Sequence, residues 1–422
     1  MRELKDSGFD WIGTTPSDWQ FIKGKYIFSQ RNSKGNSICL QLLSPSQKFG
    51  VVPQTLLEEL TTQNVVKVKE DTDLTTFKTI HAGDFCISLR SFQGGFEYCR
   101  YEGVVSSAYQ VFYPTIEIDD GYYRFLFKDK SFIEKMNSYT ISFRDGKNIA
   151  FSDFGNTYIP YPPLADQKKI AEFLDAKCSE IDALIADIQA QIETLEQYKR
   201  STIEEAVTKG INSNAAMKDS GAGWLREIPS HWKIDKFKYR LTRSEPRNPG
   251  NMIVLSLYRE LGIIPKDSRD DNHNQTSEDT SKYKHVKPGN FVVNKMKAWQ
   301  GSVAVSDYEG IISPAYYVYK FGDDSFDKKY FHYLLRGCYK DEFMRLSGGM
   351  RVGQWDLSAE DLENTTVIIP PLEEQTAISM YLDKKCSDID TCVETKKEQI
   401  TTLEAYKKSI IFEYVTGKKE VE

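Results

Sequence analysis

The chain has 422 residues, of which 40% are hydrophobic, 13% aromatic and 27% charged, with a net charge of −6. This length exceeds what one hydrophobic core normally organises, and the composition excludes a disordered or collagen-like protein. The sequence contains no run of about 18 apolar residues, so no membrane span is predicted. Its start, "MRELKDSGFDWIGTTPSDW", lacks the apolar core of a secretory signal. We therefore expect a cytoplasmic protein of two or more domains.

The seven cysteines and five histidines do not form a recognisable metal or disulfide pattern. The cysteine count is odd and contains no CxxC pair, which argues against a disulfide scaffold and a zinc ribbon. We expect reduced, mostly buried thiols. The acidic net charge is not the basic footprint usual for a nucleic-acid-binding protein, although an average can hide a basic face.

Each half of the chain opens with the same passage. "LKDSGFDWIGTTPSDWQFIKGKY" from Leu4 returns as "MKDSGAGWLREIPSHWKIDKFKY" from Met217. The segments that follow contain short β-rich runs such as "FVVNKM", punctuated by Gly, Pro and Asp, and a stretch with helical spacing, "KKYFHYLLRGCYKDEFMRL". Each segment is predicted to be a mixed α/β (α+β) domain.

The two predicted domains agree only at scattered places. "FKTIHAGDF" corresponds to "YKHVKPGNF", "FQGG" to "WQGS", and "YEGVVSSAYQVFY" to "YEGIISPAYYVYK". Turn residues and lengths match while most other positions differ. This pattern indicates one fold that carries two different surfaces.

A second duplicated passage follows each domain. "PPLADQKKIAEFLDAKCSEID" from Pro162 returns as "PPLEEQTAISMYLDKKCSDID" from Pro370, and 24 of the 48 positions that follow each start are identical, against about three expected from ordinary residue frequencies. Acidic residues after Pro-Pro-Leu suit a helix N-terminus. Apolar residues then recur at alternating steps of four and three, the heptad seam of a coiled coil. The predicted seam comprises Leu174, Cys178, Ile181, Ile185, Ile188, Ile192 and Leu195 in the first copy, and Leu382, Cys386, Ile389, Val393, Ile400 and Leu403 in the second, where Lys396 interrupts it.

An isolated helix would leave such a seam in water, so each helix is expected to pack against the other copy. An approximate two-fold axis relating the two copies makes the helices antiparallel. The predicted organisation is a globular domain at residues 1–160, a helix at 161–210, a second domain at 211–368 and a second helix at 369–422.

Catalytic motifs are missing from the sequence. There is no G-x-x-x-x-G-K-[ST] phosphate loop, no H-E-x-x-H, and no Asn-Pro-Pro-aromatic or Asp-Pro-Pro-aromatic signature of amino-methyltransferases. "DSGAGW" follows no predicted strand and reads "DSGFDW" in the first copy, which favours a structural turn. The acidic stretch "VKVKEDTD" is best explained as a solvated charge cluster.

The alternation of two variable domains with two similar helices introduced by "PPLxxQxxIxxxLD" resembles the DNA specificity (S) subunit of type I restriction-modification systems. The resemblance extends over the whole chain. It is carried by "PSDW" and "IPSHW", "FQG" and "WQG", "IPYPPLADQ" and "IIPPLEEQ", "LDAKCSEID" and "LDKKCSDID", and "LEQYKRS" and "LEAYKKS".

The resemblance implies a non-catalytic subunit. Each variable domain would be a target recognition domain that reads one half of a bipartite site in double-stranded DNA, and the helix pair would set the spacer and dock two modification (methyltransferase) subunits. Restriction (motor-nuclease) subunits would join through the complex. No cofactor is expected on this chain; S-adenosylmethionine, ATP and magnesium would belong to the partner subunits, in a bacterial or archaeal cytoplasm.

Candidate DNA-contacting residues are side chains at matched, turn-like places in both domains, because a few residues at base edges suffice for specificity. They are Arg90, Gln93, Arg144 and Lys147 in the first domain, and Lys295, Lys297, Trp299, Gln300, Arg351 and Gln354 in the second. Since both domains share the aromatic-Gln-Gly element, a structural role for Phe92 and Trp299 is favoured, and base reading is expected at residues that differ.

Two other classes of function stay open. The chain could be a self-contained sequence-specific nuclease or DNA methyltransferase, which would act without partners. It could also be a coiled-coil scaffold that does not bind DNA.

Overall fold

The computed structural model of the protein describes residues 2–35, 41–61, 74–88, 95–139, 149–250, 252–259, 261–268, 279–349 and 355–421. The chain divides into two compact units, which are residues 1–188 with 397–422 and residues 189–396. They are called unit 1 and unit 2 below. Each unit combines one globular domain with part of each of two long helices.

The elements of the first domain are short. Its strands are β1 (Leu4–Asp6), β2 (Thr14–Pro16), β3 (Gln20–Lys23), β4 (Phe28–Arg31), β5 (Leu43–Ser46), β6 (Gly50–Pro53), β7 (Lys78–Ile80), β8 (Phe85–Ile87), β9 (Phe96–Tyr98), β10 (Gly103–Val105), β11 (Gln110–Pro114) and β12 (Tyr158–Tyr161). Its helices are α1 (Gly24–Ile27), α2 (Gln54–Leu60), α3 (Asp120–Leu126), α4 (Lys130–Asn137) and α5 (Phe151–Asn156), and the long helix α6 (Leu164–Lys209) follows.

The second domain repeats this order with small changes. Its strands are β13 (Met217–Asp219), β14 (Glu227–Pro229), β15 (Lys233–Lys236), β16 (Leu241–Arg243), β17 (Leu255–Tyr258), β18 (Gly262–Pro265), β19 (Lys284–Val286), β20 (Phe291–Asn294), β21 (Val303–Val305), β22 (Gly310–Ile312), β23 (Tyr316–Phe321) and β24 (Thr366–Ile369). Its helices are α7 (Lys328–Cys338), α8 (Lys340–Leu346) and α9 (Ala359–Asn364), and the long helix α10 (Leu372–Val415) follows.

A four-stranded antiparallel sheet forms the centre of each domain. The strand order is β4-β11-β8-β9 in the first and β16-β23-β20-β21 in the second. The register places Val111 opposite Cys86 in one sheet and Val318 opposite Val292 in the other, and all four side chains are buried. The two domains therefore share one sheet topology and bury corresponding positions.

The two cores are filled differently. In the first domain Phe28 meets Phe112 edge-on, with ring centroids 5.4 Å apart, and belongs to a cluster rich in phenylalanine. In the second domain Leu241 begins the strand equivalent to the one that Phe28 begins, and the buried cluster is richer in aliphatic residues. Cores tolerate such exchanges when volume and patterning are kept, so one topology survives extensive divergence.

A shared glycine explains the repeated "YEG" element. In both domains this glycine begins a strand, β10 at Gly103 and β22 at Gly310. A Cβ on Gly310 would lie 2.6 Å from the carbonyl oxygen of Ile253, and a Cβ on Gly103 would collide with that of Gln41. Only glycine permits this close approach of two backbone segments.

Each domain holds the beginning of one long helix and the end of the other. In unit 1 Gln167, near the start of α6, accepts a hydrogen bond from the backbone N–H of Asp119 at 2.9 Å, and the Tyr122 hydroxyl donates to the carbonyl of Val415 at the end of α10. In unit 2 Gln375, near the start of α10, and Tyr330 make the equivalent contacts, the latter to Val207 near the end of α6. Within each unit the helices are therefore antiparallel.

The predicted seam residues are buried to different depths. Those near the helix starts are buried, namely Leu174, Cys178, Ile181, Leu382, Cys386, Ile389 and Val393. Those nearer the middle and end of each helix are half-buried, namely Ile185, Ile188, Ile192, Leu195, Ile400 and Leu403. Along most of its length each seam is covered by one neighbouring helix only. Near the helix start the globular domain covers it as well, which explains the deeper burial there.

The structure confirms the mixed α/β class, the two repeated domains and the long helices. The long helix α6 has 46 residues and α10 has 44, and both lie within the predicted segments 161–210 and 369–422. Of the described residues, no helix is both long and apolar enough to cross a membrane. The domain bounds at 160, 210 and 368 stay a prediction, because the compact units divide the chain within the helices instead.

Candidate nucleic-acid interface

The described candidates for DNA contact lie on one elaborated turn of the second domain. Strands β20 and β21 are neighbours in the sheet, and the chain between them contains a short 3-10 helix at Ala298–Gln300. Asn294, the last residue of β20, accepts the N–H of Met296 with its side chain and that of Lys297 with its carbonyl. Gly301, at φ 82°, ends the 3-10 helix in the left-handed region, which glycine adopts without strain. These contacts fix the shape of the turn.

Lys295 is committed to an ion pair. Its ammonium lies 3.0 Å from an Asp356 carboxylate oxygen, and this hydrogen bond raises the pKa of Lys295. Both side chains of this pair are partly exposed, and the role of Lys295 in DNA contact stays a prediction. Lys297, two residues on, is exposed.

Trp299 has a structural role in the turn. Its indole N–H donates to the carbonyl of Met296 at 3.1 Å, and its ring packs on Trp355 with centroids 5.4 Å apart. These contacts are what a structural role of the shared aromatic residue requires, and a role of Trp299 in DNA contact stays a prediction. Met296, by contrast, is 46% exposed, so the turn also presents apolar surface.

Gln300 connects the turn to a neighbouring hairpin. Its side-chain oxygen accepts a hydrogen bond of 2.8 Å from the guanidinium of Arg259, which follows β17. Because β17 and β18 form a hairpin, the structure brings together two exposed turns that are about 40 residues apart in sequence. The candidate surface therefore contains Lys297, Gln300 and Arg259.

The remaining candidates lie outside the described residues. This applies to Arg90 and Gln93, between β8 and β9 of the first domain, and to Arg144, Lys147, Arg351 and Gln354. Their roles stay predictions.

In the first domain the strand after the equivalent turn carries a buried acid. Glu97 in β9 is 1% exposed and lies 2.7 Å from the ammonium of Lys128. Burial raises the pKa of Glu97 to about 6, against the opposing effect of Lys128. In the second domain the equivalent position, opposite Val292, is Ala304. The two domains therefore differ in charge at this buried position.

Arg259 and Asp356 were missed by sequence reasoning. A signal for Arg259 exists, since "LSPSQKFGVVP" from Leu43 and "LSLYRELGIIP" from Leu255 share their ends but differ in the middle. This is a hairpin frame with a variable tip. No comparable signal exists for Asp356, because its pairing with Lys295 depends on tertiary packing.

The class of protein is defined by three features. The domain is duplicated, each copy holds the start of one long helix and the end of the other, and the hairpin turns differ between the copies. The model of the type I restriction modification DNA specificity domain matches residues 16–194 and 236–405, and the chain belongs to this family.

Two specificity subunits of type I restriction enzymes from Methanocaldococcus jannaschii are similar to the chain. MjaX is 28% identical over 274 residues, covering 62% of this chain and 59% of the relative. MjaVIII is 29% identical over 288 residues, covering 64% and 63% respectively. The aligned part thus spans about three fifths of the length of these curated relatives.

Two solved structures share the fold. One is a chain from a type I R-M system, solved in work on complex assembly and conformational transition, with a TM-score of 0.68, 16% identity and coverage of 96% of this chain and 99% of that chain. The other is the HsdS subunit from Thermoanaerobacter tengcongensis, with a TM-score of 0.56, 15% identity and coverage of 98% and 100%.

Proposed function

We propose that this chain is the sequence-reading subunit of a type I restriction-modification complex. Each domain reads one half of a bipartite site in double-stranded DNA, and the helices set the spacer and hold two modification subunits, with restriction subunits joining through the complex. The chain performs no chemistry of its own. S-adenosylmethionine, ATP and magnesium act on the partner subunits, in the cytoplasm.

The observation that carries this proposal is the combination of a repeated framework with different exposed turns. Gln167 and Gln375 each accept the equivalent backbone N–H of their domain, and Tyr122 and Tyr330 each donate to the equivalent carbonyl near a helix end. The tips of the β5–β6 and β17–β18 hairpins differ completely in sequence. A protein that reads two unrelated half-sites needs this division, because phosphate and framework contacts position the domain while a few side chains specify bases.

The acidic net charge is compatible with this function. Affinity for DNA comes largely from phosphate neutralisation, and the modification subunits can supply part of it. Specificity needs only a small number of base contacts, each with about 1–3 kcal/mol of discrimination. A reader subunit can therefore be acidic overall.

The test is co-expression of the chain with the modification subunit of its host in cells that lack adenine methylation, followed by sequencing that detects modified adenines. The expected result is methylation of one split motif. A chimera in which residues 1–160 come from another member of the family should change one half of the motif and keep the other half and the spacer.

Two outcomes would contradict the proposal. Methylation or cleavage by the purified chain alone, given DNA, magnesium, ATP and methyl donor, would make it a self-contained enzyme. A complex with the modification subunit that shows no sequence preference would make it a scaffold that does not bind DNA specifically.

A further inference from the structure

The β17–β18 hairpin and the turn between β20 and β21 present a paired arginine and glutamine on the second domain. Arg259 lies at the hairpin tip and is exposed, and Gln300 closes the 3-10 helix of the turn and is half-buried. Their side chains meet at 2.8 Å. Neither residue belongs to the buried clusters of the domain, so the contact lies at its surface.

The chemistry of the contact fixes the orientation of the amide. An arginine side chain has only donors, so the glutamine atom facing Arg259 must be the oxygen. The Gln300 NH₂ group therefore lies on the other side of the amide, away from Arg259. The polar groups of the pair that this hydrogen bond leaves over are the remaining guanidinium N–H groups and this NH₂ group, and all of them are donors.

A pair of side chains that offers only donors selects among bases. Guanine offers two adjacent acceptors, O6 and N7, to the major groove, whereas cytosine offers an amino donor and adenine offers one donor beside one acceptor. Bidentate contact of arginine with guanine is the best geometric match to such a surface. Adenine and cytosine would each place an amino donor against a donor of the Arg259–Gln300 pair.

The β17–β18 hairpin, which carries Arg259, has the same backbone geometry and register as the β5–β6 hairpin of the first domain. Gly50 and Gly262 begin β6 and β18 with φ values of 74° and 72°, and the strands pair in the same register on each side. The register places Arg259 where the first domain has Gln47. The frame is thus constant, and the tip residue is specific to each domain.

Gln300 is shared between the domains in sequence, since "WQG" corresponds to "FQG". A shared residue cannot by itself distinguish two half-sites. It can, however, hold a residue that differs, and its hydrogen bond reduces the rotamer freedom of the long arginine side chain before DNA binds.

We propose that Arg259 is a specificity-determining residue that reads a guanine in the half-site of the second domain, and that Gln300 is its positioning residue. This inference rests on the proposed function. It predicts that one half of the methylated motif contains a guanine whose recognition depends on Arg259, while the other half does not depend on it.

The experiment uses the complete complex of chain and modification subunit. Duplexes carry the motif found by sequencing, and each position of both half-sites is replaced in turn by the other three bases. Initial rates of adenine methylation give the base preference at every position. The variants are Arg259→Lys, Arg259→Ala and Gln300→Glu, with Lys48→Ala at the hairpin tip of the first domain as a control in the other half-site.

The expected result is the loss of preference at one guanine. The wild-type complex should favour that guanine by roughly 5- to 150-fold, the range of a good bidentate contact. Arg259→Lys keeps the charge but not the fork, so the preference should fall to about threefold or less. Gln300→Glu still accepts from Arg259 and should keep most of the preference, and Lys48→Ala should leave it unchanged.

The outcomes separate the two proposals. If the wild-type complex methylates no split motif, the proposed function fails. If it does so and Arg259→Lys retains every base preference, only the inference about Arg259 fails. A uniform loss of rate on all duplexes would assign Arg259 to a phosphate and likewise overturn it, and unchanged thermal unfolding of Arg259→Ala excludes misfolding as the cause.

Discussion

The Asp182 carboxylate in α6 accepts two hydrogen bonds from the Lys407 ammonium in α10, at 2.6 and 2.7 Å. The same contact recurs in unit 2 with the helices exchanged, where Lys199 of α6 lies 2.7 Å from both carboxylate oxygens of Asp390 of α10. The aspartates occupy equivalent positions in the duplicated helix sequence, as do the lysines. Each unit thus contains the ion pair expected when a duplicated helix packs antiparallel on its own copy.

Reversing one charge of this pair should destabilise unit 1 modestly. The Asp182 side chain is 59% exposed, and exposed pairs contribute about 0.2–1 kcal/mol. Asp182→Lys places two ammonium groups together and should lower the urea midpoint of unit 1, more at low salt than at high salt. Lys407→Asp in the same chain should restore it, whereas Asp182→Asn should have a small effect. If the free energy of unfolding of the double variant equals the value obtained by adding the two single effects, the two residues do not pair.

The glutamine of "PPLxxQ" should matter more for stability than any charge on the helices. Gln375 is fully buried; its side-chain oxygen accepts the N–H of Asp327, and its NH₂ group donates to the carbonyls of Ser325 and Pro370. Gln375→Leu leaves these three backbone groups without this partner; the Pro370 carbonyl is buried and the other two groups are half-buried. A buried group left unsatisfied costs about 1–3 kcal/mol. We expect a loss of roughly 2 kcal/mol or more, measured by chemical unfolding of unit 2.

The first copy offers an internal comparison and a control. Gln167 makes one contact fewer, with Asp119 and Pro162, so Gln167→Leu should cost less than Gln375→Leu. Lys168→Ala, at an exposed neighbouring position of α6, should leave unfolding unchanged. Equal and small effects of all three substitutions would show that the glutamines do not hold the helix starts.

The duplicated sequence predicted the helices because a heptad pattern encodes both a period and an apolar side. It also predicted that Lys396 interrupts the seam. The structure shows how the interruption is accommodated: Lys396 is half-buried, and its ammonium donates to the side-chain oxygen of Gln191 in α6. The stem of a lysine can lie along apolar surface while its charged end reaches a polar partner.

The candidate site was predicted less completely than the helices. The turn that carries Trp299 and Gln300 was recognised because it is repeated, but repetition points to what the two domains share. Arg259 belongs to the part that differs, and its relation to Gln300 arises from the packing of two hairpins that are separate in sequence. Specificity therefore depends on tertiary contacts that neither periodicity nor a motif encodes.

A strained turn distinguishes the second domain from the first. Arg226 has φ 54°, in the left-handed region, whereas Gly13 at the equivalent position has φ 74°. The turns are otherwise alike, since the carbonyl of Arg226 accepts from the N–H of Ser220 and that of Gly13 from the N–H of Ser7. A side chain other than glycine costs about 1–2 kcal/mol in this conformation.

Arg226→Gly should therefore stabilise unit 2 by about 0.5–1 kcal/mol, because the relief of strain exceeds the entropy that glycine adds to the unfolded chain. The matched change, Gly13→Arg, should destabilise unit 1 by about 1 kcal/mol. Differential scanning calorimetry of both variants measures the two effects. A lower transition temperature for Arg226→Gly would show that the arginine side chain makes a stabilising contact that outweighs the strain.

His332 in α7 should make the second domain sensitive to acid. Burial lowers the pKa of His332 to about 4, and the nearby Arg336 acts in the same direction. The folded protein therefore holds this imidazole neutral, whereas in the unfolded chain it binds a proton below pH of about 6.5. The stability that depends on the neutral form is present above pH of about 6.5 and is lost as the pH falls towards 4.

A pKa of about 4 in the folded protein against about 6.5 in the unfolded chain corresponds to about 3.4 kcal/mol at most. His332→Gln, which cannot be charged, should reduce the loss of unit 2 stability between neutral and acidic pH, as measured by urea unfolding across a pH series. His81→Gln in unit 1 is the control, and it should leave the pH dependence of unit 2 unchanged. If the His332→Gln curve runs parallel to the wild-type curve over the whole series, the imidazole does not control the acid sensitivity of this domain, and other buried groups must account for it.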